Sequence, residues 1–268
     1  MPEGDSVIQA AQALRPRLAG RRLSSVRTRG ERLVEDLCGD VVASVATQGK
    51  HLLLDTEGGY GLRVHLGMKG KWHRYSPGKP WKRPRWQASL VLETEADVLV
   101  CFAAKEVEVA RHPARWFVAL ERVGPDLLLP VDPDALVARA RATSPARQLL
   151  DVLLDQWIAA GLGNVFKSEV LFLCGWDPRA PLGEVSDADL RALFAEGARL
   201  IRANAPAPPR VTRGEVAGER PRRPGEARYH VYGRGGLPCF RCETPIERAL
   251  LGDPPRSTYW CPTCQERG

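Results

Sequence analysis

The chain has 268 residues, 44% of them hydrophobic, enough for at least one core and for one large or two to three smaller domains. It carries 39 Lys and Arg against 32 Asp and Glu, and the net charge of +7 favours polyanionic partners without establishing nucleic acid as one. No apolar run nears the roughly 18 residues a membrane helix needs, and no basic-then-apolar leader opens the chain, so the sequence predicts a soluble cytoplasmic protein with no membrane partner.

Residues 5–18 have the period of an amphipathic helix, with Asp5 placed to cap it and Val7, Ala11, Leu14 and Leu18 on one face. From about residue 23 to 120 the pattern shifts to short strands at 33–36, 41–45, 51–55, 61–65, 89–92, 98–102 and 116–120, separated by turns such as Cys38-Gly39-Asp40. That predicts a β-sandwich or barrel with a leading helix over residues 1–126. Gly124-Pro125-Asp126 and Pro130-Val131-Asp132-Pro133 mark a boundary. A helical domain is expected over 132–204, with helices at 134–142, 145–160, 165–174 and 187–204 and a start signal at Ser144-Pro145. Residues 205–228, rich in Pro and Arg, read as an exposed linker ahead of a last unit at 229–268. The fold class expected is α+β and multidomain.

The last unit holds the strongest local signal. Cys239-x-x-Cys242 and Cys261-x-x-Cys264 stand 18 residues apart, a spacing that can supply four thiolates to one tetrahedral Zn²⁺. Two disulfides or four free thiols are the other readings. Cys38, Cys101 and Cys174 are scattered in apolar contexts, which suits a reducing compartment.

At the other end stands Met1-Pro2-Glu3-Gly4-Asp5. Removal of Met1 would leave Pro2 with a secondary α-amine, a group of reference pKa near 8 and hence partly nucleophilic at neutral pH. Such an amine can attack a sugar C1′, expel a base and leave an iminium that acidifies the C2′ proton. Glu3 beside it could move the protons. Pro-Glu is also a common and inert N-terminus. Between the ends, Gly161-Leu162-Gly163-Asn164 breaks a helical pattern and starts a new helix, either a phosphate seat or an ordinary tight connection. Lys50, in Gln48-Gly49-Lys50-His51, could hold a phosphate or sit in solvent. Met68, in His65-Leu66-Gly67-Met68, could wedge into a base stack or lie in a core.

Taken together, these motifs resemble, over essentially the full length, the formamidopyrimidine-DNA glycosylase / endonuclease VIII family. The resemblance rests on the Pro-Glu-Gly start, Gly-Lys-His, His-Leu-Gly-Met, Asp155-Gln156 ahead of the glycine turn, Val231-Tyr232-Gly233-Arg234 and the four cysteines. The Pro-Glu-Gly-Asp start is closer to the endonuclease VIII branch common in actinobacteria.

The resemblance implies a monomer with an N-terminal β-sandwich, a helix–two-turn–helix domain and a C-terminal zinc ribbon around one structural Zn²⁺. It implies damaged DNA as substrate, with Pro2 as nucleophile, Glu3 as acid/base and Lys50 assisting elimination. Asn164 and Arg256 would clamp phosphates, His65 would add another, and Met68 with Arg115 or Trp116 would fill the void left by a flipped nucleotide. The activity implied is excision of oxidised pyrimidines with β,δ-elimination. An oxidised-purine preference and a non-catalytic damage-binding module remain alternatives. Ser6 stands where many members carry a second glutamate, and His112-Pro113-Ala114-Arg115-Trp116 matches its family loop only in part.

Overall fold

A computed structural model describes residues 2–111, 118–213 and 227–267. The chain divides into two compact units, 1–121 and 122–268.

The first unit opens with helix α1 (Gly4–Leu18), whose Val7, Ala11, Leu14 and Leu18 are all buried, as the spacing requires. Its cap is Glu3, not Asp5. Asp5 lies one step inside the first turn, where its carboxylate accepts from the backbone N–H and the hydroxyl of Ser6.

Two antiparallel sheets follow. One has β2 (Arg32–Leu33), β1 (Ser25–Thr28), β7 (Ala88–Glu93), β8 (Val98–Phe102) and β6 (Lys71–Tyr75), in that order. The other has β3 (Val42–Gln48), β4 (His51–Thr56), β5 (Tyr60–His65) and β9 (Glu106–Arg111). Alternate residues of the two sheets, among them Val26, Leu90, Leu92, Leu99, Val45, Leu52, Leu54 and Leu62, share one core with α1, which rests on β3 and β4. This is the expected sandwich with its leading helix.

Three strands, β1, β6 and β9, lie outside the expected set, and two segments differ from expectation. Residues 33–36 are the end of the short β2 running into a one-turn 3₁₀ helix, Glu35–Leu37. The strand expected at 116–120 is instead helical where it is described, as α2 (Val118–Glu121).

The second unit packs α3 (Pro133–Arg141), α4 (Leu149–Leu154), α5 (Asn164–Cys174) and α6 (Asp187–Asn204) around one apolar cluster. Asp132 caps α3 and Ser186 caps α6, each accepting from a backbone N–H of the first turn. The helix expected over 145–160 shrinks to six residues. Leu149 N–H donates to Ala180 O and Leu150 N–H to Pro178 O, so the loop after α5 takes the donors that would extend the helix backward. At its other end, Asp155 Oδ1 accepts from Trp157 N–H in a local turn that competes with the helix. The expected linker is exposed at residues 206–209, but the chain then turns inward. Arg210, Val211 and Thr212 are buried, and Asn204 Oδ1 accepts from Val211 N–H. The antiparallel pair β10 (Glu247–Leu251) and β11 (Arg256–Trp260) closes the unit. Among the described residues, no helix is long and apolar enough to cross a membrane.

Candidate active site and metal centre

In the first unit, Pro2 directly precedes the helix cap. Glu3 has extended backbone, its carbonyl accepts from the N–H groups of Ser6 (3.0 Å) and Val7 (3.1 Å), and the residue is 0% exposed. A carboxylate is thus held at the positive end of the α1 macrodipole, next to the residue whose amine the sequence singled out.

Lys50 sits in the two-residue turn that joins β3 to β4, with Gln48 and His51 as the closing pair. Gly49 has φ +55°, which the first position of such a hairpin turn asks of glycine. Lys50 is half-buried beside two imidazoles, His51 and His65, whose ring centroids are 4.9 Å apart. Burial, then the charges of His65 and Arg63, hold His51 down to about 3, and burial lowers His65 as well. Arg63 Nη1 lies 2.9 Å from His51 Nδ1, and since a guanidinium only donates, that ring is the neutral Nε2–H tautomer. Arg63 is itself 1% exposed and ion-paired with Glu106 and Glu108 of β9. This network, buried at Arg63 and open to solvent at the two glutamates, supports the strand ends that carry Lys50 and His65. No sequence motif pointed to it.

Met68 is 66% exposed on the turn between β5 and β6, not in the core. Two glycines shape that turn. A Cβ on Gly67 (φ +63°) would stand 2.7 Å from Lys105 Cβ, and one on Gly70 would stand 2.3 Å from Leu66 O. Gly70→Ala is therefore expected to reshape the turn and destabilise the protein by about 1–3 kcal/mol, the usual cost of overpacking. A urea midpoint unchanged from wild type would contradict this. Arg115 and Trp116 lie outside the described residues.

In the second unit, Asn164 is the first residue of α5 and is almost fully buried. Its Nδ2 donates to Ser257 O of β11 (2.6 Å), and its Oδ1 accepts from Lys167 Nζ (2.9 Å). Lys167, 0% exposed, also donates to Thr258 Oγ1 (2.7 Å). The glycine turn is thereby fastened to the strand that begins at the exposed Arg256. Gln156 steadies the turn from within, its Nε2 donating to Leu162 O and its Oε1 accepting from Gly161 N–H.

Glu169, also fully buried, accepts from the backbone N–H groups of His230 (2.7 Å), Val231 (2.9 Å) and Tyr232 (2.8 Å), and from the hydroxyl of Thr212. The only signal for these roles is a run of three polar residues, Lys167-Ser168-Glu169, inside an otherwise apolar helix. A helix buried on all sides must satisfy such groups internally. Glu169→Ala strands three backbone donors, at about 1–3 kcal/mol each. It is expected to lower the thermal midpoint by several degrees and loosen the segment after residue 229 to proteolysis; an unaltered digestion pattern would count against it.

The four cysteines converge. All four Sγ atoms lie within 4.8 Å of one another, with Cys239 and Cys264 3.9 Å apart and Cys242 3.4 Å from both Cys261 and Cys264. A disulfide needs about 2.05 Å, so these are free thiols. Four sulfurs at about 2.3 Å from a tetrahedral zinc would stand about 3.8 Å apart, close to what is found. Hydrogen bonds with Thr244 hold Cys242 down to about 6, while burial raises Cys261 and Cys264. Phe172, Val231 and Ile246 back the cluster.

A helix-led β-sandwich, a helix–two-turn–helix unit and a four-cysteine ribbon define the class of protein. Family models agree: the formamidopyrimidine-DNA glycosylase N-terminal domain matches residues 1–106 and the formamidopyrimidine-DNA glycosylase H2TH domain matches residues 124–205. The chain is 40% identical to a probable endonuclease 8 2 of Streptomyces coelicolor, covering 99% of this chain and 94% of that protein. It is 36% identical to the DNA-(apurinic or apyrimidinic site) lyase Nei2 of Mycolicibacterium smegmatis, covering 99% of both. The MutM (Fpg) protein of Thermus thermophilus superposes with a TM-score of 0.80 at 27% identity over the full length of both chains. The chain belongs to the formamidopyrimidine-DNA glycosylase / endonuclease VIII family.

Proposed function

We propose that this protein is a bifunctional DNA glycosylase and abasic-site lyase of base excision repair, acting in the cytoplasm as a monomer on oxidised pyrimidines. The observation that carries the reading is Pro2 immediately ahead of the fully buried Glu3 at the start of α1. Once Met1 is removed, the Pro2 amine attacks C1′ of a nucleotide flipped from the stack. The C1′–base bond breaks, the base leaves with a proton, and Glu3 moves protons at the opening sugar ring. The iminium acidifies C2′; loss of that proton expels the 3′ phosphate, and a second elimination expels the 5′ phosphate. Hydrolysis of the remaining imine frees Pro2.

Lys50 holds a phosphate of the reacting nucleotide and assists elimination, and His65 adds a phosphate contact. Met68, with Arg115 or Trp116, occupies the void. Asn164 and Arg256 grip the backbone. Asn164 Nδ2 gives one of its two N–H groups to Ser257 O, and the second is the donor for the backbone phosphate. Cys239, Cys242, Cys261 and Cys264 hold one structural Zn²⁺, which fixes the ribbon and takes no part in the chemistry.

The test is single-turnover cleavage of duplexes bearing thymine glycol, 5-hydroxyuracil or 8-oxoguanine. Faster cleavage of the two pyrimidines, leaving phosphate at both ends of the gap, is expected. Faster cleavage of 8-oxoguanine would move the assignment to oxidised purines, and tight binding without cleavage would support a non-catalytic module.

A further inference from the structure

The positive charge of this chain is not spread evenly. Residues 58–92 contain no Asp or Glu and eight Lys or Arg, which leaves 31 Lys and Arg against 32 Asp and Glu in the rest of the sequence. The entire excess of +7 therefore comes from one stretch of 35 residues in the first unit. Three of the eight are already neutralised: Arg63 by Glu106 and Glu108, Arg74 by Asp97, and Arg85 by Glu31. Lys69, Lys71, Lys79, Lys82 and Arg83 have no ion pair among the described residues.

The fold gathers three of these cations, Lys71, Lys82 and Arg83, on the outer face of the five-stranded sheet. Lys71, His73 and Tyr75 alternate onto one side of edge strand β6. That side carries a small apolar cluster of its own, Tyr75, Val91, Val98, Val100 and Phe102, separate from the sandwich core. The loop between β6 and β7 folds over it. Trp81 stacks on Tyr75 at 6.0 Å and meets Phe102 edge-on, Lys82 N–H donates to the Tyr75 hydroxyl, and Arg83 lies over the Phe102 ring. Lys71, Lys82 and Arg83 are close enough to His73 that each adds to the effect of its burial in lowering that imidazole. Trp86, on the same loop, is 77% exposed. The patch also runs straight on from the Met68 turn, since Lys69 follows Met68 and Lys71 opens β6.

A fixed cluster of cations with an exposed indole is what a nucleic-acid backbone requires of a contact surface. We propose that residues 69–86 form a second DNA contact, separate from the catalytic groups, in which Lys71, Lys82 and Arg83 engage phosphates of the strand flanking the lesion and Trp86 packs against the same strand. The proposal rests on DNA being the substrate. An acidic protein partner would also meet the charge, but continuity with the Met68 turn favours DNA.

The test is a variant carrying Lys71→Gln, Lys82→Gln and Arg83→Gln, with a charge-keeping control carrying Lys71→Arg, Lys82→Arg and Arg83→Lys. Binding to a duplex with an uncleavable abasic analogue is measured between 50 and 200 mM salt. Three lost phosphate contacts reduce the slope of log affinity against log salt by about 2.7, so salt weakens the variant about 40-fold less than wild type over that range. The control keeps the wild-type slope, and strand cleavage at saturating DNA stays unchanged in both. A glutamine variant with the wild-type slope overturns the proposal, as does a control that loses slope equally. The slopes can be read on undamaged DNA too, so a failure of the catalytic reading would appear separately, as binding without cleavage.

Discussion

Serine in place of any one of Cys239, Cys242, Cys261 or Cys264 should cost the protein its bound zinc and its hold on DNA together. The ribbon has little else to fold it. Its apolar support is one small cluster of Phe172, Val231 and Ile246 with the cysteines themselves, and its β-structure is a hairpin of two five-residue strands and a lone bridge between Pro238 and Pro245. A unit of that size needs a staple, and a structural zinc site supplies about 10–16 kcal/mol of apparent folding free energy. The loss spreads beyond the metal. Strand β11 begins at Arg256, gives its Ser257 carbonyl to Asn164 and its Thr258 hydroxyl to Lys167. Disorder in the ribbon therefore removes the Arg256 contact and releases the start of α5. We expect zinc content to fall from one per chain to none and DNA affinity to drop about 100-fold or more, the equivalent of about 2.7 kcal/mol. The sandwich core of the first unit is made of its own residues and should still melt cooperatively. A serine variant without zinc that bound DNA like wild type would refute the role given to the ribbon.

The second large effect is a separation of activities. Glu3→Gln keeps the shape of a buried side chain and the backbone cap of α1 while removing the group that moves protons during base release. Loss of a general acid or base typically costs 10² to 10⁴ in rate, so excision of thymine glycol should fall by about that factor. A preformed abasic site has no base to expel, and the Pro2 amine is intact. Cleavage at such a site should therefore fall far less. Parallel time courses on the two substrates check this. Equal losses on both would place Glu3 in elimination, or in the structure alone, and contradict its assignment.

Much of this was legible in the sequence, for reasons that differ from place to place. Helix α6 matches the expected 187–204 because its start carries a serine cap and its apolar face is regular. The buried face of α1 was legible for the same reason, whereas its cap was not, because Glu3 does that work with its backbone and no side-chain bond. Strands β1, β6 and β9 lack the apolar alternation of the others, because most of their residues are half-exposed or exposed and each carries charge. In β9 the glutamates are there to meet Arg63.

The cysteine quartet could be read from spacing, since a metal site fixes its ligands locally. The Glu169 contacts could not, because they join α5 to amides 61 to 63 residues away. No local pattern encodes such a distance; only the polar run inside an apolar helix hints that partners must exist. Likewise Met68 is exposed because its two flanking glycines fold a turn tighter than a side chain at either position allows, which hydropathy alone cannot reveal.

The proposed chemistry belongs to the amine of Pro2. The most direct measurement is to incubate the protein, with Met1 shown by mass to be removed, with an oligonucleotide bearing an abasic site, and to reduce the mixture with borohydride. The reduced adduct is then digested and located by mass. One covalent adduct per chain is expected, on the N-terminal peptide, with the link at the Pro2 nitrogen. An adduct on Lys50 or another lysine, or no adduct at all, would contradict it.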